Sequence, residues 1–296
     1  MDEVPASPSS AHFEAPPRTT TLPDGRTLAF REFGDPAGRP LFVFHGLPGS
    51  RLFGAYFADA AAEAGVRIVA PERPGFGQSS PDPGRGLTDW SADVADLAAH
   101  LDIDEFAVCG FSGGGPYALA CAAHCDRVDR VAVVAGMAPP GAAVDRAPLF
   151  RLLGFLSRRA PWLLGPLYRV QVWSTKRGDP AQALSYVTDR PIDGTPVWGE
   201  HTVEDVFYEE FLTAFERGTA GAVSDSTVTA TPWGVVFSDI DVPVRCWYGT
   251  ADENVSIDTA DWAARALPDA EITRVEGADH LATLVETREA VCSWCQ

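Results

Sequence analysis

The sequence predicts an α/β fold whose mostly parallel sheet carries helices on both faces. Three patterns support this: five short apolar runs that end near glycine or proline, helical patterns between these runs, and one long segment that interrupts the alternation. Continuous apolar runs are typical of strands buried on both faces. Because right-handed crossovers connect such strands, their carboxyl ends meet at one edge of the sheet, where ligands bind.

The predicted elements follow one another in a regular order. Residues 18–34 alternate in polarity on either side of Pro23-Asp24-Gly25, which predicts two strands joined by a tight turn. Strands are then predicted at residues 40–46, 66–75, 106–110, 130–136 and 244–249, with a late strand at 270–276. Helices are predicted at residues 55–64, 87–101, 114–125 and 259–267.

The alternation of strand and helix stops between residues 137 and 232. From Val203 to Phe215 apolar side chains recur at helical spacing, and no convincing strand is visible. We therefore predict a helical cap, or lid, at 137–232, inserted into a core formed by residues 18–136 and 233–296.

The amino-terminal residues 1–17 differ from the rest of the chain. They are acidic and rich in proline, and they lack the positive and apolar regions of a signal peptide. This composition predicts a disordered leader on a cytoplasmic protein.

The composition favours a small-molecule substrate over large anionic partners. The 41 acidic and 23 basic residues give a net charge of −18, which predicts repulsion from nucleic acid and from anionic membranes. The most apolar stretch, 147–168, is interrupted by arginines and prolines and is not a membrane span. The six cysteines are scattered and are predicted to be reduced. Lys176 is the only lysine, which fits a GC-rich genome and a salt-adapted surface equally well.

One motif points to nucleophilic chemistry. Gly110-Phe111-Ser112-Gly113-Gly114 fits the G-x-S-x-G elbow, in which a strand turns sharply into a helix and the serine is strained. Side chains two residues before and after the serine would collide, so glycine is required at both places. The apolar run before the motif and the helical pattern after it favour this interpretation over a glycine-rich turn without chemistry.

A nucleophilic serine needs a base, and the base needs an acid that orients it. Among six histidines, His280 is the one in a loop that follows a late strand, and we predict that it is the base. Asp252 lies 28 residues earlier, just past the end of a strand, which gives the order serine, aspartate, histidine expected after such an elbow. Glu253, Asp279 and Glu276 are weaker candidates because their positions in the chain suit the geometry less well.

The loop His45-Gly46-Leu47-Pro48-Gly49 leaves the first predicted parallel strand. We predict that the backbone N–H groups of Leu47 and Gly113 form an oxyanion hole at this loop. Each such donor contributes on the order of 3 kcal/mol to transition-state stabilisation.

Together these residues resemble the serine hydrolases of the α/β-hydrolase fold superfamily. The resemblance extends from about residue 18 to the end of the chain and is carried by residues 45–50, 71–80, 110–114, 249–255 and 277–280. It implies an eight-stranded sheet with a helical cap inserted after strand six. Glu72 departs from the aspartate that related sequences often carry there, although this position is not catalytic. Serine at position 112 disfavours the branches that use an aspartate nucleophile.

The expected function is that of a serine esterase, a carboxylesterase or a lactonase-like enzyme, with a small and largely apolar substrate. In this hypothesis Ser112 attacks an ester-type carbonyl, His280 transfers the proton, and Asp252 stabilises the imidazolium. No metal and no organic cofactor is implied. The paired cysteines Cys121 and Cys125, like Cys292 and Cys295, have no further ligand nearby in sequence.

Two groups of alternatives stay open at this stage. The same triad serves aminopeptidases, carbon–carbon bond hydrolases and hydroxynitrile lyases, and the pocket also suits a slow-turnover ligand receptor. Glu209 and Glu210 in the cap would bind a substrate ammonium in a peptidase, although paired glutamates on a helix usually form a solvated face. Large apolar residues of the cap favour an apolar substrate group, but packing of the cap onto the core is their more common role.

Overall fold

The structure is a computed structural model that describes residues 13, 15–178, 183–185 and 187–296. The predicted leader therefore lies largely outside the described residues. Within it, Phe13 is buried, with its ring centroid 5.6 Å from that of Trp198 and 4.5 Å from that of His201. At Phe13 the chain thus differs from the predicted leader.

An eight-stranded sheet forms the centre of the fold and confirms the predicted class. Its strands are Arg18–Thr21 (β1), Thr27–Gly34 (β2), Arg39–Phe44 (β3), Val66–Pro71 (β4), Phe106–Phe111 (β5), Val128–Val134 (β6), Val244–Gly249 (β9) and Ala270–Val275 (β10). Their order across the sheet is β1-β2-β4-β3-β5-β6-β9-β10. The pairs β1 with β2 and β2 with β4 are antiparallel, and the remaining neighbours are parallel.

The central strands are buried on both faces, as their continuous apolar runs predict. Along β5, Phe106 and Val108 pack into one core layer, while Ala107 and Cys109 pack into the other. The register pairs Phe44 with Gly110 and Phe111 with Val134, so β3, β5 and β6 end at the same edge of the sheet. The residues that follow these strands are thereby brought together.

Helices cover both faces of the sheet. Trp90–His100 (α2), Gly115–His124 (α3) and Asp258–Ala266 (α8) pack into one core layer. The 3₁₀ segment Arg51–Phe57, helix Ala58–Ala64 (α1) and helix His280–Cys295 (α9) pack into the other. No helix among the described residues is long and apolar enough to cross a membrane.

The segment between β6 and β9 is mostly helical. Its helices are Pro148–Arg159 (α4), Leu164–Thr175 (α5), Val203–Ala214 (α6) and Ala220–Ala230 (α7). It also contains the short antiparallel pair Pro196–Trp198 (β7) and His201–Thr202 (β8), which the sequence analysis did not predict. Strands this short leave no recognisable alternation in a sequence, and Gly199 makes the turn with φ 58°. The division of the chain into core and cap stays a prediction.

Helix α7 approaches the core through two glycines. A Cβ built at Gly75 would lie 2.8 Å from the Cα of Gly221, and one built at Gly221 would overlap the carbonyl of Gly75. Gly75 also has φ 85°, a conformation that other residues rarely adopt. The backbones of α7 and the loop after β4 therefore touch directly.

We expect Gly221→Ala to lower the free energy of unfolding by about 1 to 3 kcal/mol, because the added methyl overpacks this contact. Gly154→Ala is the matched control, since the nearest atom to a Cβ at Gly154 is 3.7 Å away. That change raises helix propensity and is expected to stabilise the protein by up to about 1 kcal/mol. Urea unfolding of both variants measures the difference, and equal effects would contradict the close contact.

Candidate active site

Ser112 lies at the point where β5 turns into α3. Its φ is 52°, so the serine has the strained left-handed conformation that the motif predicts. A Cβ at Gly110 would collide with the carbonyl oxygen of Gly114, and one at Gly114 would collide with the carbonyl oxygen of Phe44. The requirement for glycine on both sides of the serine is therefore confirmed.

His280 and Asp252 meet at the same edge of the sheet. His280 is the first residue of α9, and its Nδ1 lies 2.7 Å from Oδ2 of Asp252. The other carboxylate oxygen of Asp252 accepts hydrogen bonds from the backbone N–H groups of Asn254 at 2.8 Å and Val255 at 2.9 Å. Both side chains are buried, so the carboxylate is fixed and oriented towards the imidazole.

The other acids considered for this role lie elsewhere. Glu253 and Glu276 are exposed. Asp279 caps α9, where its Oδ1 accepts the N–H of Ala282 at 2.9 Å and its Oδ2 accepts the hydroxyl of Thr188 at 2.7 Å. These contacts favour Asp252 as the partner of His280.

Leu47 and Gly113, whose N–H groups are expected to bind an oxyanion, are in direct contact. The position of a Cβ on Gly113 is 3.4 Å from the backbone nitrogen of Leu47 and 2.9 Å from the Cβ of Leu47. Gly46 comes close to the nucleophile, because a Cβ there would lie 3.7 Å from that of Ser112. The loop after β3 therefore borders the serine.

His45 belongs to the structure of this loop. It is fully buried, its Nδ1 donates to the carbonyl oxygen of Gly46 at 2.8 Å, and its Nε2 accepts the N–H of Arg73 at 3.3 Å. Burial and the charge of Arg73 lower the pKa of His45 well below its ordinary value. Its imidazole is neutral and holds the backbone.

A buried ion cluster connects this loop to α7. Arg73 donates to the carbonyl oxygens of His45 at 2.5 Å and Gly46 at 2.7 Å, and its Nε donates to Asp225 at 2.8 Å. Asp225 also accepts hydrogen bonds from Arg85 and, at 2.6 Å, from the hydroxyl of Tyr117. Burial raises the pKa of Asp225, but the two arginines outweigh it and hold that pKa at about 2.

Sequence reasoning missed this cluster. Its members are 108 to 152 residues apart from Asp225 along the chain. A single aspartate in the small-residue helix "AGAVSDSTVTA" gives no local signal of its partners. Arg73 and Arg85 follow a buried strand, but their spacing in the sequence does not indicate a shared partner.

Glu210 is also buried close to the loop, so its interpretation as part of a solvated face is wrong. Its Oε1 accepts the N–H of Ser50 at 3.4 Å and lies 2.7 Å from the position of a Cβ on Gly49. Burial raises the pKa of Glu210 to about 8, and the Ser50 hydrogen bond and Arg73 lower it only in part. The carboxyl group is largely protonated at neutral pH.

Ser112, His280 and Glu210 line one large cavity of about 1020 Å³. Most of the other lining side chains are apolar and come from both the sheet edge and the helices above it, among them Phe150, Leu153 and Phe211. Such a mostly apolar cleft with a few convergent polar groups is typical of a small-molecule site.

The cysteines take no part in this site. All six are free and buried. Cys121 and Cys125 lie in one core layer, while Cys292 and Cys295 lie in the other, beside Cys109. Among the residues that the structure describes, no group of three or more histidine, cysteine, aspartate or glutamate side chains is arranged to hold a metal ion.

Comparison with known proteins identifies relatives of the chain. Residues 39–287 match the family described as alpha/beta hydrolase fold. A probable proline iminopeptidase of Streptomyces coelicolor is 34% identical over 142 residues, which cover 44% of this chain and 42% of that protein. A non-heme chloroperoxidase of Streptomyces lividans is 26% identical over 268 residues, 88% of this chain and 92% of that protein.

A solved structure shows the same fold. The esterase from Exiguobacterium antarcticum aligns with a TM-score of 0.70 and 15% identity over 95% of this chain and 99% of that chain. The chain spans only about a third to two fifths of the length of the first curated relatives it matches.

We expect Asp225→Asn to lower the free energy of unfolding by about 3 to 5 kcal/mol, because it leaves two buried arginines without their counter-charge. The native pKa of about 2 lies below the ordinary value of 3.8. The difference from the parent protein is therefore complete above about pH 4 and shrinks as the pH falls towards 2.

The control for this change is Asp261→Asn. Asp261 pairs with Arg274 at 2.5 Å, but its side chain is 54% exposed. Removal of an exposed charge costs less than about 1 kcal/mol. Urea unfolding at several pH values measures both variants, and a small, pH-independent loss for Asp225→Asn would contradict the role given to the cluster.

Proposed function

Because the chain belongs to the α/β-hydrolase fold family, we propose that it is a serine hydrolase that cleaves ester-type bonds of a small, largely apolar substrate. The observation that carries the proposal is the buried pair of Asp252 and His280, 2.7 Å apart, at the cavity that the strained Ser112 also lines. An imidazole held by a carboxylate beside a serine is the arrangement that activates a hydroxyl for attack.

In the first half-reaction the Ser112 oxygen attacks the carbonyl carbon of the ester, and His280 takes the hydroxyl proton. Asp252 accepts from Nδ1–H of His280, so the Nε2 atom is the one available as base, and the carboxylate stabilises the imidazolium. The C–O bond to the leaving group then breaks, and His280 donates the proton to the departing alcohol. The product of this half-reaction is an acyl-serine.

In the second half-reaction water attacks the acyl group while His280 again acts as the base. The negative charge on the carbonyl oxygen in both steps is stabilised by the adjacent N–H groups of Leu47 and Gly113. Both are backbone donors, and Leu47 belongs to the loop that Arg73 holds through the carbonyl oxygens of His45 and Gly46. Asp225 supports the reaction through Arg73, and it is a positioning residue.

One observation favours a second candidate, an aminopeptidase-like activity. Glu210 is buried at the cavity next to the oxyanion loop and has no basic partner among its hydrogen bonds in the described part of the chain. A substrate ammonium would favour the ionised form of Glu210 and pair with its carboxylate. One relative is named as a probable proline iminopeptidase. The amino group of such a substrate lies one atom from the reacting carbonyl, close to this loop.

We expect Ser112→Ala to lower kcat on aryl esters by at least about 10³-fold, because the nucleophile is lost. It also abolishes labelling by a fluorophosphonate probe. Ser238→Ala is the control, since Ser238 is exposed and its hydroxyl donates to the neighbouring Asp239. Ester turnover or labelling that persists in Ser112→Ala would refute the proposed function.

Matched substrates distinguish the two candidate activities. If the ester function holds, kcat/KM for an uncharged aryl ester exceeds that for an amino-acid arylamide, and Glu210→Gln changes the preference little. If the aminopeptidase function holds, the arylamide is preferred, and Glu210→Gln lowers its kcat/KM by roughly tenfold or more through loss of one charged partner. Glu209→Gln serves as the neighbouring control.

A further inference from the structure

Helices α4 and α5 present large apolar side chains to solvent. Nine such side chains are exposed in the described part of the chain, and eight of them lie between Leu149 and Trp173. Phe155 is 54% exposed, Trp162 is 73% exposed and Trp173 is 58% exposed. Because a soluble surface rarely collects apolar side chains in one place, this patch marks an interaction site.

Helix α4 carries large apolar side chains on its outer side as well as towards the large cavity. Its small residue Ser157 is buried, with its carbonyl oxygen accepting from Thr227 of α7 at 3.3 Å, while Leu152 and Phe155 point outward. An ordinary surface helix buries its large apolar face in the core. The packing of the cap therefore does not account for these side chains.

The same segment carries a charge opposite to that of the rest of the protein. Residues 146–178 contain seven basic residues and no acidic residue, within a chain whose net charge is −18. All of the seven except Arg146 are exposed, and none of them forms an ion pair with a described residue. We call residues 146–178 the basic apolar surface.

A small cavity lies at one end of this surface. It has a volume of about 280 Å³ and is lined by Arg169, Lys176 and Arg177 together with Val172 and Trp173. The guanidinium of Arg177 lies 4.8 Å from the ring centroid of Trp173. Three cationic side chains beside apolar ones suit a ligand that joins an anionic group to an apolar part.

We propose that the basic apolar surface docks the protein onto an anionic phospholipid bilayer. Exposed Trp, Phe and Leu side chains enter the boundary between headgroups and acyl chains, and the arginines around them contact the anionic headgroups. Charge favours the bilayer over a second copy of the chain, because a symmetric dimer through this surface would bring the basic residues of the two copies together. Leu149, Phe150 and Leu167 belong both to this surface and to the lining of the large cavity.

This proposal revises the expectation that the acidic composition excludes anionic membranes. That expectation treats the charge as evenly spread over the surface. Electrostatic attraction falls off within about a Debye length, roughly 8 Å at physiological salt, so the local sign of the charge decides docking.

The test is flotation of the full chain with two kinds of vesicle. One is phosphatidylcholine alone, and the other contains about 30% phosphatidylglycerol, which makes its surface anionic. We expect the protein to bind the anionic vesicles only. This binding is lost at about 1 M salt, where the Debye length falls to about 3 Å. The fluorescence maximum shifts to the blue as the tryptophans enter the interface. Ser112→Ala protein is tested in parallel, so that the outcome does not depend on catalysis.

Matched variants locate the docking surface. Phe155→Ser with Trp162→Ser is expected to weaken vesicle binding by at least about tenfold. Val236→Ser is expected to leave it unchanged, since Val236 is as exposed as Phe155 but lies outside the surface. Lys176→Gln with Arg177→Gln also weakens binding, whereas the exposed Arg265→Gln has no effect.

Three results would overturn the proposal. The first is the absence of vesicle binding, and the second is equal binding to neutral and anionic vesicles. The third is a concentration-dependent dimer in sedimentation that Phe155→Ser with Trp162→Ser abolishes, which would assign the surface to a second copy of the chain. Circular dichroism of each variant shows whether it is folded, and the exposure of the substituted side chains predicts that it is.

Discussion

The buried contact of Asp225 with Arg73 and Arg85 is the interaction on which the candidate site depends. Arg73 uses one edge of its guanidinium for Asp225 and donates from the other to the carbonyl oxygens of His45 and Gly46. Removal of either charge would strand the other in a medium that solvates it poorly. The helix that carries Asp225 and the loop that borders Ser112 are therefore fixed by the same few atoms.

The sheet supplies the rest of the geometry. Strands β3, β5 and β6 end at one edge, so the sheet makes neighbours of the loop after β3 and the elbow after β5. His280 reaches the same edge because it begins helix α9, whose N-cap Asp279 fixes the start of the helix. The sheet thus brings the loops together, and the ion cluster around Asp225 sets their orientation.

The features that could be predicted from the sequence are those encoded locally. The apolar runs predict the strands. The glycines around Ser112 predict the elbow, because steric conflicts between near neighbours are visible in a short motif. The Asp225 cluster, the burial of Glu210 and the β7-β8 pair were not predicted, because each depends on residues far apart or on strands too short to show a pattern. The exposure of Phe155 and Trp162 was also not predicted, because the sequence of a helix with apolar residues on several sides does not show which side packs against the core.

Trapping the acyl-enzyme tests covalent catalysis by Ser112 most directly. The protein is mixed with an aryl ester in excess, quenched in acid at times from milliseconds to seconds, and digested for mass spectrometry. We expect a transient gain of one acyl group on the peptide that contains Ser112, formed together with the first equivalent of released phenol. Turnover of the ester with no acyl group on that peptide at any time, or with the acyl group on another residue, would contradict it.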